Sequence, residues 1–410
     1  MFSKNALTSI ELQSIEEIKE FQNQKLQEQI KYLVTHSKFY QELFKKYQID
    51  WQSIQTTEDL KLIPVTTKND LQQCNFDFLC VPPTEIIDYS TTSGTLGDPV
   101  TFGLTDKDLD RLATNEMNSF QRIGVQKGDV VQLMTTIDRR FMAGLAYFLG
   151  LRKIGAGIIR VGAGVPQLQW DSILKYQPKF LVAVPSFLLK MLDYAEKNNI
   201  DYQNSSVKSV LCIGESLRDK DLNPSLLTQK IKSKWDIQLF STYASTEMGT
   251  AFTECNESVG GHHQPDLIIT EILDENNEVV QDGELGELTI TTLGIEGMPL
   301  LRFKTGDLLR KHSDKCKCGS NSYRLGPVEG RKQHMIKYKG TTLYPPALHD
   351  ILNHFDEIKL HLIEIYSNEF GTDEILIRLV STDETDDFLA KIKDYFRAKL
   401  RVTPSIKFET

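Results

Sequence analysis

The spacing of apolar and polar residues differs between parts of the chain. Over residues 9–47 apolar residues recur at spacings of three and four, which predicts a helical start. From residue 105 to residue 240 helical stretches alternate with short apolar runs, for example KFLVAVP at 179–185 and VKSVLCIG at 207–214. This alternation predicts a parallel sheet covered by helices.

The pattern changes after this region. Residues 266–310 alternate apolar and polar positions around Asn and Gly turns, which predicts antiparallel strands. The remaining residues suggest a hairpin, a helix, two strands and a second helix, and this order predicts a small α+β unit. We therefore expect an α/β fold with two domains. The large one, residues 1–330, combines parallel sheets and helices with a β-rich subdomain, and the small one spans residues 331–410.

Composition narrows the class of protein. The chain has 410 residues, of which 40% are apolar and 25% are charged, as expected of an ordinary globular protein of more than one domain. No apolar run reaches the roughly 20 residues that span a bilayer, and the N-terminus lacks the apolar core of a signal peptide. A cytoplasmic location is therefore expected. The net charge of -9 argues against a nucleic-acid partner, so phosphate groups must be met by local donors and metal.

One loop has the composition of a phosphate-binding loop. Residues 91–99 read TTSGTLGDP and follow a predicted strand. Backbone N–H groups and hydroxyls in such a turn can surround a phosphate group. A hairpin loop without a ligand can have the same composition, so this loop alone does not show that the protein binds phosphate. It is not a Walker loop, because no Gly-Lys-Ser/Thr sequence follows.

Three further segments appear in a fixed order along the chain. Residues 243–247 (YASTE) follow a predicted strand, residues 303–307 (FKTGD) follow another, and Gly330-Arg331 precedes the small domain. Each is weak alone, but together the chain resembles the adenylate-forming acyl-CoA synthetase superfamily. It is most similar to its phenylacetate–CoA ligase branch, from about residue 40 to residue 400. The resemblance implies a large domain that binds ATP and an acid, and a small lid that rotates between two orientations.

Branch-like stretches carry the closer resemblance. They are GELGELTITTL (283–293), MPLLRFKTGD (298–307) and EGRKQHMIKYKGTTLYP (329–345). The resemblance implies that the β- and γ-phosphates of ATP are held by the loop after residue 91. The residues concerned are Thr92, Ser93, Gly94, Thr95 and Gly97.

The resemblance also implies roles in and around the remaining motifs. Tyr243 would stack near adenine, Thr246 would contact the α-phosphate, and Glu247 would bind Mg²⁺. Asp307 would accept hydrogen bonds from the ribose hydroxyls, and Arg331 would lie near the ribose and phosphate. The implied chemistry is attack of the acid's carboxylate on the α-phosphorus, with metal and donors neutralising charge on the oxygens.

The resemblance also indicates which segments line the nucleotide and acid pockets. Gly214 and Glu215 match the family segment that lines the adenine and acyl pockets. Acid-binding residues in this fold come from segments near 139–148, 160–166 and 211–216, so the sequence does not identify the acid.

Three of the six cysteines, together with a nearby histidine, suggest a metal site. Cys255 lies before His262, and Cys316 and Cys318 form a Cys-x-Cys-Gly, both of which resemble patterns of the same branch. Three thiolates and one imidazole suit a structural Zn²⁺. His263 is a competing imidazole, and buried thiols without metal are the alternative interpretation.

The sequence departs from the family pattern at three points. The phosphate loop has Asp98 where the family usually has lysine, and Gln333 stands at a hinge position that is commonly Asp. The family's C-terminal lysine is expected beyond Lys407, so the small domain is expected to be abbreviated and adenylation to be slowed.

These observations lead to one principal function and two alternatives. The principal one is ATP-dependent activation of a small, by resemblance aromatic, carboxylic acid as an acyl-adenylate, followed by thioester formation with CoA. The alternatives are an adenylate-forming enzyme with a carrier-protein or cofactor acceptor, and a catalytically impaired regulatory homologue that binds nucleotide. Members of the family commonly form homodimers, so the resemblance implies a possible homodimer. No nucleic-acid or membrane partner is expected.

Overall fold

Helix capping divides the start of the chain into two helices. The computed structural model describes residues 8–92, 99–338, 341–367, 373–400 and 402–409, and only the backbone at 333, 337, 342 and 367. Helix α1 (Ile15–His36) begins at Ser14, which forms a capping box with Glu17. Buried Ser37 ends α1 in extended backbone, and its hydroxyl accepts from the Tyr40 N–H at the start of α2 (Lys38–Lys46). The stretch 9–47 is mainly helical, as predicted. It forms two helices rather than one, because Ser37 caps a new helix.

The chain divides into two compact units. The large unit contains Met1–Thr305 and Leu309–Pro327, and the small unit contains Gly306–Leu308 and Val328–Thr410. This division concerns compactness alone, so the roles expected of residues 1–330 and 331–410 stay predictions.

A parallel half-sheet forms the centre of the large unit. Its strands lie in the order β4-β3-β5-β6-β7, each parallel to its neighbour. The strands are β3 (Val130–Leu133), β4 (Gly157–Arg160), β5 (Phe180–Ala183), β6 (Ser209–Cys212) and β7 (Gln238–Ser245). The helices are α3 (Lys68–Gln73), α4 (Asp106–Arg122), α5 (Met142–Ile154), α6 (Pro166–Tyr176), α7 (Pro185–Lys197) and α8 (Leu226–Lys234).

Alternate residues of these strands face two apolar cores. Leu181 and Ala183 of β5 belong to the core that contains Trp170 and other residues of α6, α7 and α8. Phe180 and Val182 belong to the core that contains residues of α4 and α5. Because successive residues of a strand point to opposite faces, burying both faces requires continuous apolar runs. This explains the runs in the sequence.

The other strands of the large unit run antiparallel. From β7 the sheet continues through β8, β9, β13, β12, β11 and β10, and a separate hairpin pairs β1 with β2. These strands are β1 (Asp88–Thr91), β2 (Thr101–Leu104), β8 (Thr250–Thr253), β9 (Gly261–His262), β10 (Ile268–Leu273), β11 (Leu285–Thr292), β12 (Phe303–His312) and β13 (Arg324–Leu325). The antiparallel strands predicted for residues 266–310 are confirmed.

The small unit has its own core beneath a three-stranded sheet. The order along the chain is strand, hairpin, helix, two strands, helix and strand, in agreement with the predicted α+β unit. Its elements are β14 (Gly330–Arg331), β15 (Ile336–Tyr338), β16 (Thr341–Leu343), α9 (Pro345–Leu352), β17 (Ile358–Ser367), β18 (Asp373–Ser381), α10 (Asp386–Leu400) and β19 (Ser405–Phe408). The fold is α/β, as predicted. Within the described ranges, no helix combines the length and apolar character needed to cross a membrane.

Candidate functional site

The predicted zinc ligands converge in the large unit. One ligand atom from each of Cys255, His262, Cys316 and Cys318 lies within 4.8 Å of all the others. Cys255 Sγ lies 3.6 Å from Cys316 Sγ, and Cys318 Sγ lies 3.6 Å from His262 Nε2. His262 comes from β9, which pairs with β13 just after the Cys-x-Cys loop. Strand pairing therefore joins two parts of the cluster that are far apart in sequence.

These separations fit a tetrahedral zinc ion. Zn–S bonds of about 2.3 Å and Zn–N bonds of about 2.0–2.1 Å require S···S edges near 3.8 Å and S···N edges near 3.6 Å. Hydrogen bonds from the Cys255 and Cys318 thiols lower the pKa of Cys316, whereas the same bonds to Cys316 raise the pKa values of Cys255 and Cys318, so Cys316 is the first of the three thiols to ionise. Burial lowers the pKa of His262, which favours the neutral imidazole. Thiolate and neutral imidazole are the forms that bind metal.

His263 has a different position from its neighbour. Its Nε2 donates to the Ile268 carbonyl at 2.6 Å, and its ring stacks on Tyr323 with centroids 4.2 Å apart. Burial lowers its pKa to about 4. Of the two competing imidazoles, His262 is therefore the one that faces the thiols.

A buried ion pair supports the Cys-x-Cys loop from behind. Glu11 Oε1 accepts from Arg122 Nη2 of α4 at 2.6 Å, and also from the hydroxyls of Ser320 and Ser322 at 3.3 and 3.4 Å. Burial alone would raise the pKa of Glu11, but the Arg122 guanidinium and the Thr8 N–H lower it below its ordinary value. An ionised Glu11 thus ties the residues after Cys318 to the core.

The Thr246–Glu247 motif lies in a turn after β7. The turn is closed by Met248 N–H, which donates to Ser245 Oγ, and by Gly249 N–H, which donates to the Ser245 carbonyl. Gly249 has a φ of +51°, in the left-handed region. Thr246 and Glu247 are half-buried, so their polar groups are accessible to a ligand.

A half-buried arginine holds this turn in place. Arg111 of α4 donates to the carbonyls of Gly249, Leu267 and Leu293 at 2.7, 2.5 and 2.7 Å, and to the Thr250 hydroxyl at 3.1 Å. Burial lowers its pKa to about 10, so the guanidinium stays charged at neutral pH. Arg111 therefore positions the backbone that carries Thr246 and Glu247.

The same turn borders a small, open cleft. Its polar side is formed by Thr246, Glu247, Arg111 and Asp108. Its apolar side is formed by β2, α4, α5 and the chain before β12, through Phe102, Leu104, Leu112, Met142, Ile295 and Met298. A polar edge beside an apolar floor suits a ligand with both kinds of surface.

The structure describes only the first residue of the predicted phosphate-binding set. Buried Thr92 forms two hydrogen bonds with Val100. The Thr92 N–H donates to the Val100 carbonyl at 3.0 Å, and the Thr92 hydroxyl accepts from the Val100 N–H at 3.2 Å. Thr92 therefore closes the base of the loop. The other predicted residues, Ser93, Gly94, Thr95 and Gly97, lie outside the described residues, as does Asp98.

Gly214 and Glu215 lie at the carboxyl end of the parallel half-sheet, just after β6. Gly214 has a φ of +77°. The Glu215 carboxylate accepts from the Ser186 N–H at 2.8 Å and the Ser186 hydroxyl at 2.7 Å, at the start of α7. Ligands in open α/β sheets bind at this edge. The carboxylate itself is occupied with a helix N-terminus.

The structure brings together two residues of the small unit predicted to contact ribose. Asp307 lies opposite Arg331 in the pairing of β12 with β14, and Arg331 Nε donates to Asp307 Oδ1 at 2.9 Å. Asp307 is buried, whereas the Arg331 side chain is 47% exposed. In the large unit, Tyr243 of β7 lies near Phe252, with ring centroids 6.2 Å apart.

Sequence reasoning missed Glu11, Arg122 and Arg111. Glu11 and Arg122 are 111 residues apart in sequence, and Arg111 binds carbonyls that have no sequence signature. None of these residues belongs to a motif. Only the fold brings them to the metal cluster and to the Glu247 turn.

Comparison with known proteins identifies the family. The model of the AMP-binding enzyme family matches residues 10–296. The chain belongs to this family of AMP-binding enzymes. Within it, the chain is 25% identical over 417 residues to phenylacetate-coenzyme A ligase of Thermus thermophilus, covering 95% of this chain and 92% of that protein. It is 26% identical over 370 residues to the enzyme of the same name from Pseudomonas putida, covering 88% and 82%.

A solved structure supports the fold. A 2-hydroxyisobutyryl-CoA ligase in the postadenylation state superposes with a TM-score of 0.87 at 21% identity, covering 100% of this chain and 91% of that one. The predicted resemblance to the phenylacetate–CoA ligase branch of adenylate-forming enzymes is confirmed.

Proposed function

We propose that this protein activates a small carboxylic acid with ATP and transfers the acyl group to CoA, as an AMP-forming acid–thiol ligase. The observation that carries the proposal is the accessible Thr246–Glu247 turn on the edge of a half-apolar cleft, in a chain of the AMP-binding family. The relatives named as phenylacetate-coenzyme A ligases support CoA as the acceptor and an aromatic acid as the first substrate class to test.

The reaction has two displacements. A carboxylate oxygen attacks the α-phosphorus of ATP, and pyrophosphate leaves with the electron pair of the broken P–O bond. The CoA thiolate then attacks the acyl carbonyl, and AMP leaves as the thioester forms. Both steps develop charge on oxygens, which hydrogen-bond donors and cations stabilise.

The large-unit residues have separate roles in the proposed mechanism. Thr246 donates its hydroxyl to the α-phosphate, and Tyr243 packs beside adenine. Gly214 and Glu215 border the adenine and acyl pockets. The loop that begins at Thr92 surrounds the β- and γ-phosphates, through Ser93, Gly94, Thr95 and Gly97.

Glu247 would hold Mg²⁺, which when bound neutralises charge on the triphosphate. A half-buried carboxylate suits this ion, since Mg²⁺ prefers one or two carboxylates together with phosphate oxygens. In the small unit, the buried Asp307 carboxylate accepts from the ribose hydroxyls. Its partner Arg331 adds positive charge near ribose and phosphate.

The metal cluster has a structural role in this proposal. Cys255, His262, Cys316 and Cys318 would hold a Zn²⁺ ion that joins the Cys-x-Cys loop to β9. Four protein ligands leave no open coordination position, so zinc takes no part in the chemistry.

Product analysis tests the ligase activity. The chain is incubated with Mg²⁺, ATP and CoA and a panel of aromatic and aliphatic acids, and AMP and the acyl-CoA mass are measured. We expect both products with at least one acid, and their loss in Glu247→Gln. Glu275→Gln, an exposed carboxylate on the same unit, is the matched control and should retain them. AMP release without any thioester would point instead to another acceptor, and equal activity in both variants would remove Glu247 from the mechanism.

Metal analysis tests the zinc site. We expect about one zinc ion per chain in the purified protein and its loss in Cys316→Ser. Cys74→Ser, which changes a cysteine outside the cluster, should retain the metal. Full zinc content in Cys316→Ser would contradict the ligand set.

The cytoplasmic location, the homodimer and a carrier-protein acceptor stay predictions from the sequence.

A further inference from the structure

An unusual turn lies beside the base of the predicted phosphate loop. Between β3 and α5 the backbone passes through Asp138, Arg139, Arg140 and Phe141. Both arginines have a φ of +59°, and the Phe141 N–H donates to the Asp138 carbonyl at 3.2 Å. Positive φ at both central residues is the pattern of a type I′ turn, which normally contains Asn and Gly.

Two arginines are costly residues for such a turn. The left-handed region is strained for side chains with a Cβ, and neither arginine has the local hydrogen bonding by which Asn and Asp tolerate it. Strain of this kind is typical of functional segments. Both side chains are exposed, and neither has an ion-pair or hydrogen-bond partner among the residues that the structure describes.

The turn is attached directly to the phosphate-loop hairpin. The Arg140 carbonyl accepts from the Thr91 N–H at 3.0 Å, at the last residue of β1. The next residue, Thr92, closes the base of the loop through Val100. A backbone hydrogen bond of this length brings the two chains to a separation of about 5 Å, and an arginine side chain is long enough to span the distance from the turn to the base of the loop.

The groups around this turn favour the binding of an anion. Helix α5 begins at Met142, directly after the turn, and its N-cap residue Phe141 supplies no side-chain acceptor. The free N–H groups of this first turn add positive potential beside the arginines. The one acidic neighbour in the turn, Asp138, has its carboxylate engaged by the Thr136 hydroxyl.

We infer that Arg139 and Arg140 bind the β- and γ-phosphates of ATP and the departing pyrophosphate. They would supply the cation that is missing from the phosphate loop, where Asp98 stands in place of lysine. This inference rests on the proposed function, since it assigns residues to the same nucleotide, and it departs from the expectation that the segment near 139–148 serves the acid pocket alone. A chain with a net charge of -9 needs local cations to bind a polyphosphate, and these two are suited to that role.

Calorimetric titration of the intact chain with Mg·ATP, Mg·pyrophosphate and AMP separates this role from others. We expect Arg139→Asn and Arg140→Asn each to weaken ATP and pyrophosphate binding by about tenfold or more, because each removes charge-assisted hydrogen bonds. AMP lacks the β- and γ-phosphates, so its affinity should change by less than about twofold. Asn tolerates positive φ, so the turn should persist, and unchanged melting temperatures would verify this.

Two further variants make the test specific. Arg140→Lys keeps the charge without the bidentate fork and should bind ATP with intermediate affinity. Arg152→Gln, an exposed arginine at the other end of α5, should bind all three ligands like the wild type. Unchanged ATP and pyrophosphate affinity in both Asn variants, or an equal loss of AMP affinity, would overturn the inference alone. A wild-type chain that binds neither ATP nor AMP would refute the proposed function and this inference together.

Discussion

The buried pair of Glu11 and Arg122 gives the sharpest energetic prediction. Their side chains are 0% and 3% exposed, and Glu11 also accepts from Ser320, Ser322 and the N–H of Thr8. The substitution Glu11→Ala removes the carboxylate and leaves the Arg122 guanidinium buried without its partner. Loss of one member of a buried pair costs about 3–5 kcal/mol, and the additional hydrogen bonds lost from Ser320, Ser322 and Thr8 place this case in the upper half of that range.

The large unit provides its own probe for this measurement. Trp51, Trp170 and Trp235 all belong to it, so urea unfolding followed by tryptophan fluorescence reports on this unit. We expect Glu11→Ala to lower the free energy of unfolding by about 4 kcal/mol. Zinc release to a chelator should also become faster, because Ser320 and Ser322 anchor the loop after Cys318.

Two controls decide whether the charge pair is the cause. Glu20→Ala, an exposed glutamate on α1, should change the free energy of unfolding by less than about 0.5 kcal/mol. The double variant Glu11→Ala/Arg122→Met should be more stable than the two single losses added together, since no unpaired charge remains. A loss of less than about 1 kcal/mol in Glu11→Ala would refute the reasoning, because it would fall below the cost of one unpaired buried charge.

Three other predictions follow from single contacts. Burial raises the pKa of Glu116 from 4.5 to about 8, so the folded state keeps a proton that the unfolded state releases, and stability should fall as pH rises through this window. Glu116→Gln should flatten that dependence in urea titrations at several pH values, and an unchanged slope would contradict the assignment. Arg111→Lys cannot make the four hydrogen bonds that hold the Glu247 turn, so the Mg²⁺ concentration for half-maximal activity should rise by about tenfold, whereas an unchanged Mg²⁺ dependence would rule out the positioning role. A Cβ added at Gly150 would lie 2.5 Å from Glu116 Cβ, so Gly150→Ala should separate α4 from α5 and cost about 1–3 kcal/mol in the same unfolding assay, and wild-type stability would contradict this packing.

The sequence was informative where a pattern is local. Continuous apolar runs such as residues 179–185 predict strands buried on both faces, and the two cores flanking β5 explain why. The resemblance to the cysteine and histidine patterns of the family branch predicted a cluster whose ligand atoms the fold brings within 4.8 Å of one another. Thr246 and Glu247 follow β7 as predicted, but Tyr243 lies within β7 and residues 303–307 begin β12 rather than follow a strand, because the apolar pattern does not mark where a strand ends.

Sequence reasoning failed where partners are distant or where backbone geometry decides. Nothing in the sequence around Glu11 indicates that it will meet Arg122, because that meeting depends on how α4 packs. Ser37 was not recognised as a break, because its capping role depends on being buried between two helices. The turn at Arg139 and Arg140 contains neither Gly nor Asn, so the usual turn signals are missing. These positions are among the ones on which the new predictions depend.

The most direct test of the central claim is exchange of labelled pyrophosphate into ATP by the intact chain, dependent on an added acid. This exchange requires that an acyl-adenylate forms reversibly, whatever the final acceptor. We expect exchange with at least one acid of an aromatic and aliphatic panel, and its loss in Glu247→Gln. Absence of exchange with every acid, in a protein that retains its fold and its zinc, would contradict the proposed function.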